Sequence, residues 1–150
     1  MFGKVAVVLV AVLALGLASC GGSEETTTLS RAELVKQIQV ACREGQRASE
    51  RQSREARGSD DGNSGFINAV LAGQKVVNDK LNSITTSGAA KADFEALKQS
   101  VGSRTELIER VAAADRAHQE QMIRSVQREI EAATARAQQA ARDLGIEGCI

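Results

Sequence analysis

Three cysteines, one histidine, a few carboxylate pairs and a row of arginines are the side chains of this 150-residue sequence that have chemistry to offer. A metal centre needs His, Cys or carboxylates clustered on one face. His118 is the sole histidine, so no metal site and no cofactor is expected. Nucleophilic catalysis needs a hydroxyl or thiol paired with a base and an orienting acid. No motif supplies that set, and no strand-to-helix glycine loop is available to hold a phosphate. Glu106 and Glu109 form a carboxylate pair, but Glu106 stands four residues before Arg110, the favourable orientation for a surface ion pair. The expectation is a protein that is not an enzyme. Sugar capture through stacked rings is disfavoured as well, because Phe66 and Phe94 are the aromatic residues left after position 19 and both read as core-seam positions.

The first cysteine follows a segment with its own signature. Lys4 supplies a positive charge beside the amino terminus, and the fourteen residues from Val5 to Ala18 carry none. That is the profile of a signal peptide, and it is shorter than the about 20 apolar residues a spanning helix needs. Leu17, Ala18, Ser19 and Cys20 resemble the lipobox of bacterial lipoproteins. The resemblance implies cleavage after residue 19, diacylglycerol on the Cys20 sulfur and further acylation of the new amino terminus. It also places the protein outside the cytoplasm, lipid-anchored to the outer face of the bacterial cell membrane. Two or three acyl chains give stable anchoring where one alone is marginal. Residues 20–29 (CGGSEETTTL) then read as a flexible polar tether, leaving 30–150 as the domain.

With Cys20 acylated, Cys42 and Cys149 remain as an even pair in an oxidising compartment and are expected to form a disulfide. Cys42 continues the four-residue steps of Leu34 and Ile38, and Cys149 stands one residue from the carboxyl end, so the bond closes nearly the whole domain. Such a loop constrains the unfolded chain by about 4.7 kcal/mol in the entropy model.

The elements that position these residues are helices. Alanine is frequent and proline, tryptophan and tyrosine are absent, which favours helices packed through small side chains. Leu, Ile, Val and Phe make up 25 of the 131 residues from Cys20 onward, so the core is thin. Nineteen basic residues balance nineteen acidic ones, and nothing in the charge points to nucleic acid.

Ser30 and Glu33 form a capping box that starts the first helix, with Leu29 placed to staple onto Leu34. Its apolar face holds Leu34, Val35, Ile38 and Cys42, and no large apolar residue follows from Arg43 to Arg57, so that half is expected to be held weakly. Arg43, Arg47, Arg51 and Arg54 lie about 150° from the apolar face, a solvated stripe or a contact for an anionic surface. Residues 58–65 (GSDDGNSG) read as a loop by composition. Ile67, Val70, Gln74, Val77, Leu81 and Ile84 form the second seam, interrupted by Gln74. Residues 85–88 (TTSG) turn the chain into a third helix with Phe94, Leu97, Val101, Ile108 and Val111. The fourth carries Met122, Ile123, Val126 and Ile130, then Ala133, Ala137, Ala140 and Leu144, with Gly145 as C-cap.

The boundary between the third and fourth helices is the least marked, since residues 112–121 (AAADRAHQEQ) contain neither Gly nor Pro. An unbroken helix over 89–144 would run about 80 Å and carry Cys149 far from Cys42. A disulfide needs alpha carbons within about 7 Å. The chain must therefore reverse, with Asp115 as the expected N-cap and Gly102–Ser103, where Ser103 and Glu106 make a further capping box, as the alternative. The fold expected is all-α, an up-down-up-down four-helix bundle after a cleaved signal peptide.

The stretches Leu29 to Gln46 (LSRAELVKQIQVACREGQ) and Ala140 to Cys149 (AARDLGIEGC) together resemble a group of small actinobacterial-type secreted lipoproteins with no assigned activity. Members pair a cysteine of the first helix with one near the carboxyl end. This chain departs from the pattern in having Ala41 before Cys42 and Asp143 in place of the aromatic before Leu-Gly. The functional expectation is a membrane-anchored interaction module with an envelope protein as partner. The alternative is a binder of a small apolar ligand held between the helices.

Overall fold

The computed structural model describes residues 29–57 and 62–148. The leader, Cys20, most of the tether, the first half of the 58–65 segment and Cys149 lie outside them. Four helices follow one another: α1 (Arg31–Ala56), α2 (Gly62–Ser83), α3 (Lys91–Arg116) and α4 (Glu120–Leu144). Each packs on the next, α1 on α2, α2 on α3 and α3 on α4, as in an up-down bundle.

α1 begins where Ser30 and Glu33 place it. The Ser30 hydroxyl accepts the Glu33 backbone N–H at 3.3 Å, and Glu33 Oε2 accepts the Ser30 N–H at 2.9 Å and its hydroxyl at 2.7 Å. Those bonds to the Ser30 side chain and backbone, with Lys36 nearby, hold the Glu33 carboxyl below its ordinary value of 4.5. A carboxyl whose pKa is depressed by folding adds stability above its unfolded value and loses it as pH falls through the folded one. Acid titration of unfolding should therefore show a component below pH 4.5 that Glu33→Gln removes.

The second half of α1 is not weakly held. It stays helical to Ala56, and Gly45 and Ala48 are buried. The contact is made by small residues on both sides. A Cβ built at Gly45 would overlap Val77 Cγ2 and lie 2.8 Å from the Gly73 carbonyl, and one at Gly73 would lie 2.9 Å from the Gly45 carbonyl. Close approach replaces large side chains here. The same rule shifts the seam of α2, whose buried row is Gly65, Ala69, Gly73, Val77 and Leu81, while Ile67, Val70, Gln74 and Ile84 are half-buried beside it. Residues 62–65, expected as loop, form the first turn of α2 because Gly65 fits against Ala56 with 2.8 Å to a built Cβ. Phe66, expected in the core, points outward and is 68% exposed.

Gln74 breaks the α2 seam for a reason. Its Oε1 accepts from Arg104 of α3 through Nε at 3.0 Å and Nη2 at 2.6 Å. Burial pushes the Arg104 pKa down, the cost of holding a guanidinium inside the seam. Arg104→Ala leaves the Gln74 oxygen without its donor and should lower stability by about 1–3 kcal/mol. The double replacement Gln74→Leu with Arg104→Leu should recover most of that loss in urea unfolding, because neither polar group is then left unpaired.

The chain reverses within 112–121 as expected, but Asp115 does not cap α4, and Gly102–Ser103 lies inside α3. His118 turns the chain, with φ of 54° in the left-handed region. Its N–H donates to the Asp115 carbonyl at 3.0 Å, and the Gln119 N–H donates to that of Ala114 at 2.8 Å. This is the Schellman pattern. Gly145 (φ 77°) and Ile146 close α4 with the same pair of bonds, to Arg142 and Ala141.

Phe94, Leu34, Ile38, Leu81, Leu97 and Leu144 are the larger members of the main core. A smaller cluster of Leu107, Val126 and Ala133 lies between α3 and α4, flanked by half-buried Val111 and Ile130. Met122 lies at the rim, 43% exposed.

Candidate functional site

The clearest concavity is a cleft of about 550 Å³ between α1 and α2, closed on one side by the chain that follows α4. Its floor is the Gly45–Gly73 crossing, which lets the two helices approach and leaves their flanking side chains as walls. Gln39, Gln46 and Gln74 supply amides, Arg43 a cation and Glu147 a carboxylate, with Val70 and Val77 as the apolar contribution. Such a lining suits a hydrogen-bonding ligand better than an apolar one. A second, more apolar concavity of about 390 Å³ lies between α1 and the end of α2, where Val40, Ala41 and Ile84 stand beside Glu33, Lys36 and Lys80, and it opens to solvent rather than being enclosed between the helices.

Cys42 stands half-buried in the wall of this cleft, and Glu147 and Gly148 stand in it too. Ile146, 2% exposed, inserts into the main core and turns the tail back toward α1. The Arg31 guanidinium of α1 donates to the Asp143 carbonyl at the end of α4. The tail is thus brought to the helix that carries Cys42, whereas Cys149 itself lies outside the described residues.

Arg43, Arg47, Arg51 and Arg54 are all exposed, on the side of α1 away from the core. Glu44, interleaved with them in sequence, is drawn across to Lys80 of α2 at 3.0 Å. The Glu106–Arg110 pair does not form: Arg110 reaches Glu129 of α4 at 3.6 Å, and Lys75 of α2 takes Glu109 at 2.8 Å. Interhelical partners outcompete the local one because α3 is flanked on both sides.

At the end of the bundle where α2 and α4 begin, the Ser64 hydroxyl donates to the Asp115 carboxylate, and the Asn63 amide reaches it at 3.5 Å. Asp115, read from the sequence as a helix cap, instead ties α2 to the end of α3. Phe66 and Met122 are exposed at this end, with His118 in the adjoining turn. Sequence reasoning placed both apolar residues in the core. A signal for the error exists: the glycine and alanine row of α2 runs one position away from Phe66.

Among the described residues, no group of three or more His, Cys, Asp or Glu could hold a metal ion. No described helix is long and apolar enough to cross a membrane. No protein-family model matches the chain, and no curated protein or solved structure is similar to it.

Proposed function

We propose that this chain is an exported lipoprotein, held on the outer face of a bacterial cell membrane by lipid on Cys20, whose helical bundle contacts another envelope protein without enzymatic chemistry. The observation that carries the reading is the run Leu17, Ala18, Ser19 and Cys20 after an uncharged segment, followed ten residues later by the Ser30 cap of a folded domain. The cap fixes the first turn of α1, and the ten-residue spacing from Cys20 to Ser30 is what a tether between anchor and domain requires. Exposure of Phe66, the one aromatic ring of the described residues left in water, at the end remote from Ser30 supports the interaction part, with Met122 exposed at the same end.

The reading includes a bond between Cys42 and Cys149. What supports it is that the tail residues next to Cys149, Glu147 and Gly148, line the same cleft as Cys42. The bond would fasten the end of the chain to the middle of α1.

Replacing Cys20 with serine should move the protein from the membrane fraction to the soluble fraction and remove the acyl mass from its amino-terminal peptide. A mature form that starts elsewhere and carries no acyl group would end the anchoring reading. A photo-crosslinker at position 66 in the native host should capture an envelope protein that the same crosslinker at position 106 does not. Equal background from both positions would end the interaction reading.

A further inference from the structure

The outer face of α1 carries a longer cationic row than its arginines alone suggest. Lys36, Arg43, Arg47 and Arg54 are separated by seven, four and seven residues. At 3.6 residues per turn these spacings keep all four within about 40° of one another, a line parallel to the helix axis some 27 Å long. All four are exposed, and Arg51 and Arg57 flank the line. Arg43, Arg47 and Arg54 make no ion pair among the described residues. Of the acids that share this helix, Glu33 is engaged in the Ser30 cap and Glu44 is held by Lys80. Glu50 and Glu55 remain as counter-charges beside five arginines between positions 43 and 57.

We infer that α1 lies lengthwise on the membrane that anchors the chain, with this row against phosphate-bearing anionic lipid headgroups and the bundle resting on its side. The inference rests on the lipid-anchored reading of Cys20. It follows from placement: the row belongs to the helix that directly follows the anchor, and ten residues from Cys20 to Ser30 span at most about 35 Å. A surface held that close acts at high effective concentration, so contacts too weak to bind a free protein suffice to orient a tethered one. A row parallel to the axis selects the side-on orientation, because an upright bundle would bring only the Lys36 end near the headgroups. Each arginine near an anionic surface favours contact about five-fold, so losing two shifts the side-on to upright ratio about 25-fold.

The test uses the full lipidated protein in vesicles, with a fluorophore at position 53 near the far end of α1 and acceptors on the lipid headgroups. With vesicles containing phosphatidylglycerol, strong energy transfer is expected. It should fall in pure phosphatidylcholine, in high salt and in Arg47→Glu with Arg54→Glu, and stay unchanged in Arg128→Glu with Arg136→Glu on α4. Transfer indifferent to lipid charge, salt and the α1 reversals overturns the side-on placement while leaving the anchor intact. Failure to float with phosphatidylcholine vesicles overturns the anchor, and the placement with it. Circular dichroism of each variant separates loss of orientation from loss of fold.

Discussion

Replacing Gly45 with leucine is expected to cost about 3 kcal/mol of unfolding free energy, and alanine at the same position about 1, whereas Gly102→Ala should add about 0.5–1. The opposite signs come from what each new side chain meets. At Gly45 a Cβ collides with Val77 and closes on the Gly73 carbonyl, which is backbone and cannot rotate away. The helices must part, and the small-residue contact along Gly45, Ala48, Ala69 and Gly73 opens with them. Both residues regain most of about 1 kcal/mol of helix propensity over glycine, so alanine loses less than leucine because its single methyl forces the helices apart less. At Gly102 the nearest atom, Asn78 Oδ1, is 3.5 Å away, an ordinary contact, so the propensity gain is uncompensated. Urea unfolding of the three variants checks the ordering. Equal stability of Gly45→Leu and the parent would mean that α1 and α2 do not cross closely at this point.

The same contact explains what the sequence concealed. Hydrophobic periodicity locates helices by their large side chains, and it found Leu34, Ile38, Val77, Leu81, Phe94, Leu97 and Val101, all of them buried. It gives no weight to glycine, so the lower half of α1 read as unsupported although Gly45 meets Gly73 there. Phe66 was misplaced by the same bias: a large ring was assigned to the core where a glycine and alanine row occupies it.

The partner of Gln74 was not singled out by periodicity. Gln74 visibly interrupts the seam of α2. The seam of α3 has a matching interruption, because the step from Val101 to Ile108 passes over Arg104 at the position where the three-four alternation demands a core residue. Read together, two gaps at the middle of antiparallel neighbours imply a bond between them, which is what the structure places there. The reversal after α3 had no comparable signal. His118 takes the left-handed conformation that Gly145 takes at the end of α4, and a histidine in that role is not distinguishable from a surface residue by type alone. The chain was required to turn by the cysteine argument, and the place was right while the residue responsible was not. The candidate site divides likewise: the arginines of α1 were placed by helical phase, but the cleft depends on the Gly45–Gly73 crossing and on the returning tail, neither of which periodicity encodes.

Breaking the proposed Cys42–Cys149 bond is expected to lower stability by about 2–4 kcal/mol, and to do so unevenly along the chain. The unevenness follows from the packing. α1 rests on α2, α2 on α3 and α3 on α4, and among the described residues α1 and α4 make no comparable contact. They share the main core, where Ala137, Ala140, Ala141 and Leu144 join the cluster of Leu34, Ile38 and Ala41 with Ile146 beside them, and the Arg31 guanidinium bonds to the Asp143 carbonyl. A bond from α1 to the tail would close the bundle along this seam, so its removal releases α1 and the tail before it loosens α3. Cys42→Ser with Cys149→Ser, or reductant on the parent, should therefore lower the urea midpoint and speed amide exchange first in α1 and at Ile146. α3 should keep its protection until the whole domain opens, because it is flanked by α2 and α4 on its two sides. Identical midpoints with and without reductant, together with two free thiols in the unfolded, unreduced chain, would show that packing alone holds α1 in place. The exchange pattern separates a covalent clamp from a merely buried sulfur, since filling the Cys42 site with serine changes little volume and cannot by itself free the carboxyl-terminal tail.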